Sequence, residues 1–188
     1  LVGREDDMSF FSDYDLDGCT VFVWGIAGVG KTALVREIYD RHQQRIKDYG
    51  MYGWVKVAHP FSLLSLCRSL LLNFYSHDVD AREKAAIAIM EGQDPIQGCC
   101  KIMDANTCLV VIDGLRSTHD WDSAVCLLAQ ANCAGVTIVI TREESIAKHC
   151  AISKGLIVNV KALQADESLD LFKKVLMFLS LPLSLSLS

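Results

Sequence analysis

Eight consecutive residues, Gly25-Ile26-Ala27-Gly28-Val29-Gly30-Lys31-Thr32, match the pattern G-x-x-x-x-G-K-[ST] at every fixed position, and no other feature restricts the fold so tightly. Such a loop becomes an anion cradle only when a strand leads into it and a helix leaves it. Both flanks are present. Residues 20–24, Thr-Val-Phe-Val-Trp, are short, β-branched and aromatic, as befits a strand running into a turn. Residues 33–47 carry Leu34, Val35, Ile38, Tyr39 and Ile46 at helical spacing and stop before Gly50. In a cradle of this kind Gly28 and Gly30 take positive φ, and backbone N–H groups curl around phosphate oxygens. The positive end of the following helix adds to the attraction. Lys31 is placed to bridge the β- and γ-phosphates and the Thr32 hydroxyl to ligate Mg²⁺. Gly25, Gly28, Val29, Gly30, Lys31, Thr32 and Ala33 are the nucleotide contacts expected along this stretch.

The rest of the chain alternates strand-like and helix-like segments. Residues 54–58 read as a second strand, and Pro60 opens a Leu-rich helix to about Tyr75 that is apolar on most faces and so buried. Weaker helices occupy 81–90 and 95–104. Residues 108–112 and 136–140 are unbroken apolar runs, each with a polar residue at its end, the pattern of central parallel strands covered on both faces. An amphipathic stretch covers 121–131, a fifth strand 156–160, and Asp166 is placed to cap a helix carrying Leu169, Phe172, Leu176 and Met177. This alternation predicts an α/β fold with a parallel sheet and right-handed crossovers.

Two of these strands end in chemistry. Asp113 follows 108–112, where a carboxylate can hold Mg²⁺ directly or through water. Thr141-Arg142 follows 136–140 on the same carboxyl edge, where ligands bind in such sheets, and Arg142 is positioned to reach a γ-phosphate.

Composition narrows the partners. The chain has 188 residues, 51% hydrophobic and 22% charged, with a net charge of −5, which argues against disorder. Without a basic cluster, nucleic acid and anionic membrane are not expected partners. The stretch 175–187 is too short and too serine-interrupted to span a bilayer. Eight cysteines are scattered through apolar segments without a Cys-x-x-Cys pair, and the five histidines are not at ligand spacing from them. Buried thiols in a reducing cytoplasm are expected rather than a disulfide or metal scaffold. Trp54 and Trp121 are expected in the core, and His149-Cys150, adjacent in a helical segment, do not form a nucleophile pair. The acidic start, Leu1-Val2-Gly3-Arg4-Glu5-Asp6-Asp7, lacks the features of a signal peptide and reads as the start of an excised piece of a longer protein.

In order along the chain, Val2-Gly3-Arg4, the stretch Val23-Trp24-Gly25 through Thr32, Leu109-Val110-Val111-Ile112-Asp113 and Ile138-Val139-Ile140-Thr141-Arg142 resemble the NB-ARC domain. This is the nucleotide switch of plant NLR immune receptors and of apoptosome proteins. Residues 163–172, Leu-Gln-Ala-Asp-Glu-Ser-Leu-Asp-Leu-Phe, are similar to the segment that opens the family's helical subdomain. The resemblance covers about residues 1–178. It implies a P-loop NTPase fold: a five-stranded parallel sheet flanked by helices, with the strand ending at Thr141 between those ending at Trp24 and Ile112. It further implies ADP or ATP with Mg²⁺ as ligand, with Val2 and Gly3 lining adenine and ribose and Arg4 close by. Thr32 and Asp113 would serve the metal, and Thr141 and Arg142 the phosphate end. The implied setting is a cytoplasmic receptor whose other domains, and further protomers, are the partners in defence signalling.

Two departures qualify the resemblance. Family members carry a second acid after the Asp113 position, commonly assigned to polarising the attacking water, and here that position is Gly114. Hydrolysis is therefore expected to be slow or absent. The family's later nucleotide contacts are also missing: Pro182 comes too soon after Phe172, no Gly precedes it, and no leucine-rich repeats follow. The expected division is a nucleotide-binding domain at 1–161 and the start of a helical subdomain at 162–188, ending in a Leu-Ser alternation. Two alternatives stay open on sequence: a P-loop ATPase or kinase of another family, and a truncated receptor fragment acting only in protein interaction. A kinase needs a lid with arginines, and no Arg-rich loop follows Arg142.

Overall fold

The computed structural model of the chain describes residues 2–13, 16, 18–44, 50–130, 135–151 and 155–180. Five strands, β1 (Thr20–Trp24), β2 (Met51–Lys56), β3 (Cys108–Leu115), β4 (Val136–Thr141) and β5 (Gly155–Asn159), form one sheet in the order β2-β3-β4-β1-β5. Every pairing is parallel. Eight helices flank it among the described residues: α1 (Glu5–Asp13), α2 (Lys31–Gln44), α3 (Leu63–Phe74), α4 (Val79–Met90), α5 (Pro95–Ala105), α6 (Thr118–Gln130), α7 (Glu144–Cys150) and α8 (Ala165–Ser180). β4 lies between β1 and β3, the order the resemblance implies.

Strand pleating divides the core in two, because successive side chains point to opposite faces. Phe22, Val55, Val110, Ile112 and Val139 pack under α3, α5, α6 and α7. Val21, Val23, Leu109, Val111, Ile138 and Ile140 pack against Phe11 of α1 and Leu34, Val35 and Ile38 of α2. All six β4 residues are buried, which is why its sequence shows no polar alternation. Trp54 and Trp121 are both core residues.

Several boundaries differ from the sequence reading. β2 begins at Met51, earlier than residue 54, and ends at Lys56. The helix expected from Pro60 starts at Leu63, because Ser62 is extended and its hydroxyl accepts the Ser65 N–H at 3.3 Å, satisfying one of the first-turn donors. That helix buries one face, Leu66, Cys67, Leu70, Leu71 and Phe74, while Leu64 is exposed, so it is not apolar-covered all round. Asp166 is not the cap of α8: it lies in the first turn, and the Glu167 carboxylate accepts the Gln164 N–H at 2.7 Å, as in a capping box. Among the described residues no disulfide joins the cysteines. Cys67, Cys99, Cys108 and Cys150 are buried, but Cys126 is exposed and Cys19 and Cys100 are half-buried. Cys133 and the tail 181–188 lie outside the described residues.

Candidate functional site

The Gly-rich loop joins β1 to α2 at the carboxyl edge of the sheet. Gly25 has no room for a side chain: a Cβ there would lie 2.5 Å from the Val160 carbonyl oxygen, so the loop runs flush against the end of β5. Gly28 and Gly30 have φ of 78° and 101°, the left-handed region that costs other residues about 1–3 kcal/mol. Gly30 is fixed by the motif, whereas Gly28 fills one of its free positions. α2 starts at Lys31 with no acid in its own first turn to offset its positive N-terminal end.

Lys31 is only 7% exposed. Its ammonium donates to the carbonyls of Gly25 at 2.7 Å and Ile26 at 2.8 Å, which holds it against the loop. Burial lowers its pKa, the Arg142 charge lowers it further, and Asp113 opposes both. Thr32, one residue into α2, donates to Asp113 Oδ2 at 3.4 Å. Burial raises the Asp113 pKa, while the Thr32 hydrogen bond and the charges of Lys56, Lys31 and Arg36 act the other way. Thr141 is buried at the end of β4 and its hydroxyl accepts the Glu143 N–H at 3.3 Å. That turn leaves Arg142 exposed beside it.

These groups share one cleft. A cavity of about 300 Å³ is lined by Gly28, Gly30, Lys31, Thr32, Asp113 and Arg142, with Ala27, Ala33, Gly114, Ile140 and Thr141 completing its wall. Next to it, sharing Ala27, Gly28, Gly30 and Ala33, is a larger and more apolar cleft of about 690 Å³. Val2, Arg4 and Val29 line that second cleft together with Ala162, Leu163, Ser168, Leu171 and Lys174. Of the residues that sequence singled out, Gly25 lines neither cleft and instead seats the loop on β5. Gly3, with φ of 62°, packs against Glu167, whose carboxyl carbon is 2.6 Å from where a Cβ would be.

Sequence reasoning missed the α8 side of the second cleft. Ser168, Leu171 and Lys174 recur every three residues, a helical spacing that could have grouped them, but nothing in it says what they face. It also missed Lys56, which pairs with Asp113 across β2 and β3; its place at the end of an apolar strand was the available signal. At Gly114 the β3–β4 register shifts and φ is 96°. The position of the missing acid is therefore a bulge in a glycine-favouring conformation, and its carbonyl contacts His59 Nε2 at 3.2 Å.

Known proteins resemble this chain in sequence and in fold. The model of the NB-ARC domain matches residues 9–180. At1g50180 of Arabidopsis thaliana, named among the disease resistance proteins, is 23% identical over 81% of this chain and 17% of its own length. Disease resistance RPP8-like protein 3 of Arabidopsis thaliana is 25% identical over 82% of this chain and 16% of its own. The chain thus spans less than a fifth of the length of these relatives. Among solved structures, the Pyrococcus horikoshii signal transduction ATPase with numerous domains and a tetratricopeptide repeat sensor is similar in fold. Its TM-score is 0.55 at 18% identity, covering 97% of this chain and 26% of that one. Among the described residues, no helix is long and apolar enough to cross a membrane.

Proposed function

The chain belongs to the NB-ARC family, a nucleotide-binding NTPase module of plant resistance proteins, and from that premise we propose that it binds ADP or ATP with Mg²⁺ as the nucleotide switch of an intracellular immune receptor. Family membership removes the alternative of a P-loop kinase or ATPase of another family. The single observation that carries the nucleotide reading is the convergence of Lys31, Thr32, Asp113 and Arg142 on one cleft beneath a helix N-terminus.

In this reading the phosphates lie in the smaller cleft, against Gly28 and Gly30 of the loop and the first turn of α2 at Lys31, Thr32 and Ala33, while Val29, which lines the apolar cleft, meets the rest of the nucleotide. Arg142, held out by the Thr141 turn, faces their far end. The base and ribose occupy the apolar cleft beside Val2 and Arg4, with Gly3, which lines neither cleft, joining the two residues. The Thr32 hydroxyl and Asp113 carboxylate suit Mg²⁺: both are hard oxygen donors, and their 3.4 Å separation is close to the roughly 3 Å edge of an octahedral magnesium shell. Bound there, the ion would offset the charge of the phosphates. Two protein oxygens suffice, because Mg²⁺ keeps several waters and phosphate oxygens.

Hydrolysis is proposed to be slow or absent. Asp113 is committed to Thr32 and the metal, and Gly114 offers no carboxylate to polarise water. Residues 1–161 are proposed as the nucleotide-binding domain. Residues 162–188 are proposed to open the helical subdomain, whose first helix leaves Leu169, Phe172 and Leu176 exposed for other receptor domains or protomers.

The test is mass analysis of nucleotide released on denaturing the purified chain, with Lys31→Arg alongside. ADP carried by the wild type and lost from the variant is expected. Unchanged ADP affinity in Lys31→Arg would leave only an interaction fragment.

A further inference from the structure

Arg4 does more than line the apolar cleft. It is 8% exposed, and its guanidinium binds three separate parts of the chain. Nη1 donates to Asp7 Oδ2 at 3.1 Å and to the Lys161 carbonyl at 2.8 Å, and Nη2 donates to the Val29 carbonyl at 2.6 Å. Val29 belongs to the phosphate loop, and Lys161 belongs to the connection, residues 160–164, between β5 and α8. Asp7 on α1 supplies the countercharge that a buried guanidinium needs. Neither Val29 nor Arg4 lines the phosphate cleft, so this grip holds the loop from behind. A planar fork can hold two carbonyls at once; a lysine ammonium cannot do so with the same geometry.

We propose that Arg4 is a positioning residue that couples the phosphate loop to the β5–α8 connection, so that filling the loop stiffens residues 161–164. The proposal rests on the nucleotide reading above and adds a route by which an occupied loop reaches α8. Gly3, pressed against Glu167 at the start of α8, ties the same short segment to that helix a second time. Coupling of this kind is reciprocal: a connection held in place tightens the loop for phosphate by the same factor.

The test is amide hydrogen exchange on the chain with inorganic pyrophosphate and Mg²⁺, a probe that fits the loop but has no base to touch the connection directly. In the wild type, pyrophosphate is expected to slow exchange in residues 25–31 and, by about fivefold or more, in residues 161–164. In Arg4→Gln the loop is slowed and the connection is not. Arg4→Lys, which keeps the charge without the fork, is expected to behave like Arg4→Gln and serves if the latter does not fold. Protection of the loop alone in the wild type, or of both segments in the variants, overturns the coupling and leaves nucleotide binding standing. A loop protected by neither pyrophosphate nor ADP overturns nucleotide binding itself and the coupling with it.

Discussion

The Thr32 hydroxyl donates to Oδ2 of Asp113 across 3.4 Å, although 81 residues separate them. One is the second residue of α2 and the other follows the apolar run of β3, so the contact exists only because β1 and β3 flank β4 in one parallel sheet. The fold therefore brings a hydroxyl and a carboxylate to the mouth of a phosphate-sized cleft. The Asp113 carboxylate is half-buried with one hydrogen-bond partner, the Thr32 hydroxyl, and its partial removal from water costs the nucleotide-free chain more than the cations around it return.

Asp113→Asn is expected to raise the melting temperature of the nucleotide-free, Mg²⁺-free protein at pH 7. Burial lifts the Asp113 pKa, so the folded state holds its proton more tightly than the unfolded one. Stability then falls as pH rises through the interval between the unfolded and folded values, and above it the loss is complete. The amide removes that loss, and each kcal/mol recovered is worth about 2–4 °C in a chain of this size. The same variant is expected to lose roughly 10- to 100-fold of ADP affinity in the presence of Mg²⁺, the scale of one charged contact. A variant that is both less stable and equally tight would contradict this account of Asp113.

ADP affinity is expected to fall as pH rises, beginning below the ordinary lysine value of 10.5. Lys31 binds phosphate as an ammonium, and burial together with Arg142 lowers its pKa, so deprotonation comes early. Arg142→Gln removes one of those two causes. Its affinity should be lower at pH 7, where a phosphate contact is gone, but its decline with pH should set in later. Titrations between pH 7 and 10 on both proteins check the crossing of the two trends.

The sequence made the residues of the smaller cleft legible and those of the apolar cleft largely illegible, for a physical reason. Lys31 and Thr32 sit in a contiguous motif, and Asp113 and Thr141 each end an apolar run, so strand periodicity alone carries them to the sheet edge. The second cleft is closed by Ala162, Leu163 and Leu171, whose types are ordinary core types and whose meaning depends on where α8 packs. Arg4 was legible only as a neighbour of the site, because two of its three acceptors are backbone carbonyls at Val29 and Lys161, which leave no trace in side-chain identity. Boundaries failed for a related reason. Met51 and Tyr52 extend β2 through pairing with Cys108 and Leu109, a long-range ladder that local propensity does not contain.

Gly114→Asp is expected not to produce an ATPase. The backbone there has φ of 96° and lies at a register shift between β3 and β4, so a side chain costs about 1–3 kcal/mol even though nothing lies within 4 Å of its Cβ. The variant should melt several degrees lower, and the added carboxylate must leave or distort the bulge to approach a water at the phosphate end. Phosphate release from ATP measured on Gly114→Asp and on the wild type should be comparably slow. A wild-type rate that Asp113→Ala abolishes would instead show that the chain hydrolyses ATP without a second acid.

Polar substitution on α8 is expected to change association and leave folding alone. Leu169, Phe172 and Leu176 are 52%, 59% and 47% exposed, at positions that share one face of the helix. Exposed apolar side chains gathered in one place favour contact with another surface, whereas truncating a residue that packs on nothing changes stability by about 0.5 kcal/mol or less. Phe172→Glu combined with Leu176→Lys should therefore keep the wild-type melting temperature to within a degree or two, because no core contact is lost. Light scattering over a concentration series should show less self-association for the double variant than for the wild type. A melting temperature that drops by many degrees would mean that the face is packed in solution, and the stripe would then be no docking surface.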